Sequence, residues 1–149
     1  MKNEFDIASL KVVDIFSGCG GLSMGFIQSG FNVVASFDNW DIALKHCRLN
    51  FDHPALCCDM GDVPNAIKEV EAFSPDIIIG GPPCQDFSSA GKRDESCGRA
   101  DMTIAYANIV AAVSPQYFVM ENVARALKSK AFAAAKEILQ NAGYGLTSC

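Results

Sequence analysis

Lys11-Val12-Val13-Asp14-Ile15-Phe16-Ser17-Gly18-Cys19-Gly20-Gly21-Leu22 is the stretch whose reading decides the fold. An apolar, β-branched run passes straight into a cluster of glycines and then into sequence compatible with a helix. Glycines after a strand and before a helix let the backbone come close to a ligand. The spacing is not G-x-G-x-x-G, so it reads as a nucleoside cofactor loop without a pyrophosphate clamp. An ordinary glycine-rich turn is the other reading of this motif taken alone.

Working outward, the pattern repeats. Lys11–Phe16, Asn32–Phe37, Ala55–Cys58, Asp76–Ile79 and Tyr117–Met120 are strand-like, and their nearly continuous apolar character suits parallel strands covered on both faces. Helical spacing lies between them: Val63, Ile67 and Val70, then Tyr106, Ile109, Val110 and Val113, then Phe132, Ala135, Leu139 and Ala142. Gly30 and Gly143 are placed to end the first and last helices, and Ser74-Pro75 and Ser114-Pro115 each stop a helix before a strand. Five βα repeats predict one α/β domain over residues 1–149, a doubly wound, mostly parallel sheet.

The bulk properties exclude several classes. Half of the 149 residues are hydrophobic and charge is sparse, which suits a buried sheet and not a disordered chain. No apolar run is long enough to span a bilayer, and Met1–Asp6 is no signal peptide, so a soluble intracellular protein is expected. The seven cysteines are odd in number and form no C-x-x-C pair. They predict neither a disulfide framework nor a zinc site; no metal is expected, and most cysteines read as small core residues. The net charge of −5 sits awkwardly with nucleic-acid binding, since phosphate contacts need Lys and Arg.

Functional-looking residues fall at consecutive strand ends. Asp38 closes the second strand about twenty residues after the glycine loop, where an acid is placed to bind ribose hydroxyls. Asp59 closes the third, within reach of an amino group; each acid is otherwise a solvated cap, as Asp41, Asp62 and Asp76 are expected to be. The fourth delivers Gly80-Gly81-Pro82-Pro83-Cys84-Gln85-Asp86-Phe87-Ser88, a stiffened turn presenting one thiol, and the fifth ends in Glu121-Asn122-Val123. Ligands of such sheets bind outside the carboxyl ends of the strands, near the switch point. Residues Ser88 to Asp101 form the one long polar insertion. His46 and His53 read as structural or surface residues, and Trp40 reads as a packing residue or, alternatively, as an edge to the cofactor's base.

Asp14 to Leu22, the Pro82-Pro83-Cys84-Gln85 turn with Phe87-Ser88, and Glu121-Asn122-Val123 resemble, in order and spacing, the successive signature motifs of the cytosine-C5 DNA methyltransferase family. The resemblance covers the chain from Lys11 onward. It implies a Rossmann-like methyltransferase fold and S-adenosyl-L-methionine as methyl donor. The donor would be held by Phe16, Ser17, Gly18, Gly20, Gly21 and Leu22, by Asp38 with Asn39, by Asp59 with Met60, and by Pro82. It further implies Cys84 as nucleophile and Glu121 as the acid on the target base, with Pro83, Gln85, Ser88, Lys92, Arg93, Arg99 and Asn122 toward base and DNA. Each cation of the polar loop reads equally as part of a solvated flap. Arg99 departs from the family pattern: Cys97 stands where its acid would be, and Met102 where its leucine would be.

The resemblance also implies a sixth strand, a basic segment, a target-recognition domain and a closing helix beyond Gly145–Cys149. Their absence would account for the acidic balance, and implies either a truncated chain or a subunit completed by a second polypeptide. The expected setting is the bacterial cytoplasm, the expected partner double-stranded DNA, and the expected context restriction-modification. Rival readings are a tRNA cytosine methyltransferase of the same family and a non-catalytic module derived from the enzyme. A cysteine hydrolase is weakly supported, since no histidine is placed for it.

Overall fold

The computed structural model describes residues 6–83 and 101–148. Five strands form one parallel sheet: β1 (Lys11–Ile15), β2 (Asn32–Asp38), β3 (Ala55–Cys57), β4 (Ile77–Gly80) and β5 (Tyr117–Met120). Their order is β3-β2-β1-β4-β5. The chain winds outward from β1 to β3, then crosses back to β4 and β5, so the switch point lies between β1 and β4. This is the doubly wound sheet expected from the repeats. The helices are α1 (Gly21–Gln28), α2 (Asp41–Asn50), α3 (Val63–Glu71), α4 (Met102–Val113) and α5 (Lys130–Asn141), with 3₁₀ turns at Ile7–Ser9 and Ala124–Lys128.

Alternation along the strands assigns the faces. Val13, Ile15, Ala35, Phe37 and Ile78 meet Ala66 and Val70 of α3, Tyr106, Ile109 and Val110 of α4, and Ala135 and Leu139 of α5. Val12, Val33, Ile77 and Ile79 face the other way, against Leu22 and Phe26 of α1 and Phe31. Leu44 and Cys47 of α2 close that second face over Ala55. Strands covered on both sides need the apolar composition they have. Tyr106 adds a polar tie, its buried hydroxyl reaching the carbonyl oxygens of Val119 at 3.0 Å and Ile78 at 3.3 Å.

Helix ends follow the sequence signals. Gly30 and Gly143 take left-handed conformations just past α1 and α5. Ser114 ends α4 in the same region before Pro115. Asp62 caps α3, accepting from the amide of Asn65. The other two expected caps differ. Asp41 lies inside the first turn of α2 and pairs with Lys45 at 2.9 Å. Asp76 caps no helix: it accepts from the Lys11 amide at 2.9 Å and the Gln116 side chain at 3.1 Å, and so staples the amino ends of β1 and β5 to its own strand. Strand edges shift by about one residue: Phe16 and Cys58 fall outside β1 and β3, while Gly80 joins β4.

One buried charge stands out. Asp14 is fully buried in β1, and burial pushes its carboxyl up to about 7 from the ordinary 3.8. A carboxyl with a raised folded pKa stabilises the fold fully below its unfolded value and loses that contribution as pH climbs through the folded one. Between pH 4 and 8 this group should cost on the order of 4 kcal/mol. Urea denaturation across that range should therefore show a declining stability for the wild type and a flatter profile for Asp14→Asn; identical slopes would show that Asp14 does not titrate there.

Candidate active site

The loop after β1 is shaped by backbone that ordinary residues avoid. Phe16 has φ of 59°, and Gly18 and Gly20 have φ of 53° and 88°. A left-handed aromatic is strained and is held only where the surroundings require it. Here the Ser17 amide donates to the Phe37 carbonyl at 3.0 Å and the Gly18 amide to Asp38 Oδ2 at 2.8 Å, which turns the chain sharply over the end of β2. A Cβ on Gly20 would collide with the ring of Phe51, so only glycine fits. At Gly18 and Gly21, by contrast, a Cβ would meet nothing within 4 Å. The loop therefore leaves open space on its outer side and is tightly packed beneath.

Gly20 is the N-cap of α1 and has no side chain to offer. Asp14 does that work from β1, its Oδ2 accepting from the Ser23 hydroxyl at 2.6 Å and the Ser23 amide at 3.2 Å. A carboxylate at a helix N-terminus also complements the helix dipole. Beneath the loop the Cys47 thiol donates to the Gly18 carbonyl at 3.2 Å, and burial raises its pKa. The buried Ser17 hydroxyl lies beside that thiol and works against the rise.

Of the expected strand-end acids, Asp38 meets this loop directly. Asp38 is half-buried, with Oδ1 accepting from the Trp40 amide at 2.9 Å in addition to Gly18 on Oδ2. Asn39 is exposed beside it. Asp59 is exposed and accepts from the Gly61 amide at 2.9 Å. The Cys58 amide, donating to the Asp38 carbonyl at 3.0 Å, locks the ends of β2 and β3 together. Met60 buries its side chain in the core. Trp40 does not pack: it is 57% exposed.

Across the switch point, Gly80 closes against β1, where a Cβ would collide with the Ile15 carbonyl oxygen. Pro82 is buried and Pro83 exposed. The Asn122 side chain donates to the Pro82 carbonyl at 3.0 Å and fixes the start of the turn. Glu121 lies against Gly81, its Oε2 only 3.1 Å from where a Cβ on that glycine would sit. Glu121 and the Pro82-Pro83 turn are thus brought together at the same sheet edge as the glycine loop. Cys84, Gln85, Ser88, Lys92, Arg93 and Arg99 lie outside the described residues. His46 is exposed on α2, while His53 is half-buried, its Nε2 2.8 Å from the Ser36 hydroxyl. Of the cysteines described, Cys47 and Cys58 are buried as expected, but Cys19 and Cys57 are exposed. Among the described residues no cluster of His, Cys, Asp or Glu is arranged to hold a metal, and no helix is long and apolar enough to cross a membrane.

A doubly wound parallel sheet with a glycine turn after β1 and acids at or just past the ends of β2 and β3 defines an α/β domain of the Rossmann-like class. Residues 10–148 match the family model described as C-5 cytosine-specific DNA methylase, and the chain belongs to that family. It is 50% identical over 139 residues to the type II methyltransferase M.HindV of Haemophilus influenzae, covering 93% of this chain and 46% of that protein. It is 52% identical over 121 residues to M.HgiGI of Herpetosiphon aurantiacus, covering 81% of this chain and 96% of that protein. Among solved structures, the S. pombe Dnmt2 methyltransferase superimposes with a TM-score of 0.74 at 26% identity, over 91% of this chain and 41% of that one. The chain spans less than half the length of M.HindV and of M.HgiDI.

Gly80→Ala tests the closeness of β1 and β4. The clash is with backbone, so the strands must separate, and a loss above about 3 kcal/mol is expected by thermal or urea denaturation. Unchanged stability would mean that the sheet tolerates a wider spacing there.

Proposed function

We propose that this chain supplies the cofactor-binding and nucleophile-bearing part of an enzyme that methylates cytosine at C5 in DNA, as part of a restriction-modification system. The carrying observation is the convergence, at one sheet edge, of the glycine loop, Asp38, Asp59 and the Glu121–Pro82 turn. Family membership and relatives named as type II methyltransferases support it. A tRNA substrate remains the rival within the same chemistry.

The residues present fit S-adenosyl-L-methionine. Open space over Gly18 and Gly21 leaves the loop's backbone accessible to its amino-acid end. Asp38 and Asn39 suit ribose hydroxyls, Asp59 an adenine amino group, and exposed Trp40 the adenine edge. Bound there, this cofactor supplies a methyl group on a sulfonium, an electrophile that unaided cytosine C5 is too weak to attack. Cys84 answers that weakness: its thiolate adds to C6 and shifts electron density onto C5. Glu121 hydrogen-bonds N3 and stabilises the charge that develops on the ring. Loss of the C5 proton and expulsion of the thiolate return the methylated ring to aromaticity. The base must leave the duplex stack to reach this edge, so base flipping is part of the proposal.

Two measurements check this reading. The protein, alone and together with a polypeptide that supplies the family's target-recognition half, should be assayed for tritiated methyl transfer to DNA and to tRNA at physiological salt. Transfer to DNA by the completed enzyme and none by residues 1–149 alone is expected, given the net charge of −5. Preferential transfer to tRNA would replace the substrate. DNA carrying 5-fluorocytosine should trap a covalent adduct on Cys84, absent in Cys84→Ser and retained in Cys19→Ser; an adduct on another cysteine would remove Cys84 from the role. In calorimetry, Asp38→Ala should weaken S-adenosylmethionine binding by about 1–3 kcal/mol, and equal binding would place the ribose elsewhere.

A further inference from the structure

His53 belongs to no sequence motif and lies in the turn between α2 and β3, yet it is joined to the glycine loop by two separate routes. The first is a chain of polar side chains through an otherwise apolar face. His53 Nε2 is 2.8 Å from Ser36 Oγ, Ser36 Oγ is 3.2 Å from Ser23 Oγ, and Ser23 Oγ is 2.6 Å from Asp14 Oδ2. Asp14, Ser23 and Ser36 are all fully buried. The second route is aromatic. The His53 ring stacks on Phe51 with centroids 5.1 Å apart and planes 21° from parallel, and Phe51 fills the space directly beneath Gly20.

The terminal acceptor sets the direction of the chain. Asp14 Oδ2 accepts from the Ser23 amide, so with the carboxyl ionised or carrying its proton on the unpartnered Oδ1, Ser23 donates its hydroxyl to it. Each hydroxyl has one proton, so Ser36 donates to Ser23, and Ser36 Oγ is left to accept from His53 Nε2–H. Every bond then runs one way, from His53 toward the carboxylate, and chains ordered in this way strengthen one another. At its far end the same carboxylate holds the Ser23 amide and with it the first turn of α1. Burial lowers the pKa of His53, so the neutral ring must adopt the Nε2–H tautomer for the chain to close.

We propose that His53 is a positioning residue for the cofactor: as an Nε2–H donor through Ser36 and Ser23 to Asp14, and as a ring beneath Phe51 and Gly20, it sets the loop that binds S-adenosylmethionine. This rests on the cofactor reading given above. No contact between His53 and cofactor is involved, so its loss alters affinity and leaves the reacting groups alone.

The test uses the whole protein, with S-adenosylmethionine as the probe. His53→Leu and Ser36→Ala should each raise Kd and KM for the cofactor about three- to ten-fold, the range expected for one lost hydrogen bond in a chain. At saturating cofactor, kcat should stay within about two-fold of wild type, since no transition-state contact is removed. His53→Gln keeps an amide donor at similar reach and should recover most of the affinity. His46→Leu, an exposed control on α2, should change nothing. Imidazole nitrogen NMR should show a proton on Nε2 at neutral pH. Wild-type affinity in folded Ser36→Ala, a His53→Gln variant as weak as His53→Leu, or a neutral His53 protonated on Nδ1 would each overturn the proposal. Should His53→Leu fail to fold, Ser36→Ala and the tautomer still decide. A wild-type protein that binds no S-adenosylmethionine would refute the cofactor reading instead, and the tautomer would still judge the chain.

Discussion

The Asp14 carboxylate, buried at the centre of the sheet, is the interaction on which the rest of this structure depends. It sits on the penultimate residue of β1 and holds the first turn of α1, so the loop between them has both ends fixed. That loop can then hold a strained Phe16 and two left-handed glycines without collapsing. A buried carboxylate is costly unless hydrogen bonds compensate it, and here one oxygen has two donors while Oδ1 has none. A stability cost at this position is consistent with strain being concentrated where a protein works.

From that anchor the remaining site follows by topology. Parallel strands place all five carboxyl ends on one edge, and the reversal of direction at β1 and β4 sets the glycine loop and the Pro82 turn on neighbouring strand ends. Gly80 lets those two strands approach, Asn122 pins the start of the turn, and Glu121 lies beside Gly81. The polar groups at that edge are thus held by backbone and by one another. A site whose charged groups are fixed in advance needs little rearrangement when charge develops on a substrate ring.

Much of this was legible in the sequence, because hydrophobic period and glycine placement are local signals. All five strands, the doubly wound class and the strand-end acids follow from them. What was not legible is what depends on three-dimensional partners. Asp76 looks like a cap beside Pro75, but it bridges two other strands. Trp40 reads as a packing residue by its size, yet the chain leaves it at the open edge. Met60 follows the exposed Asp59 but turns inward. The polar chain was hidden most thoroughly, since its members are 14, 23, 36 and 53 in sequence. One signal was available: Asp14 and Ser36 are polar residues within apolar strands, and they are register partners on adjacent strands. A polar residue at matched depth in two neighbouring buried strands implies that the two share a network.

On the proposed reading the cofactor lies along the carboxyl edge beside β1, β2 and β3. Amide chemical-shift mapping of the protein titrated with S-adenosylmethionine locates it. The largest shifts should fall on Phe16 to Leu22, Asp38 to Trp40 and Asp59 to Gly61, with little change along the outer faces of α3 and α5. Shifts centred on those helices, or no shifts in the glycine loop at saturating cofactor, would contradict that reading.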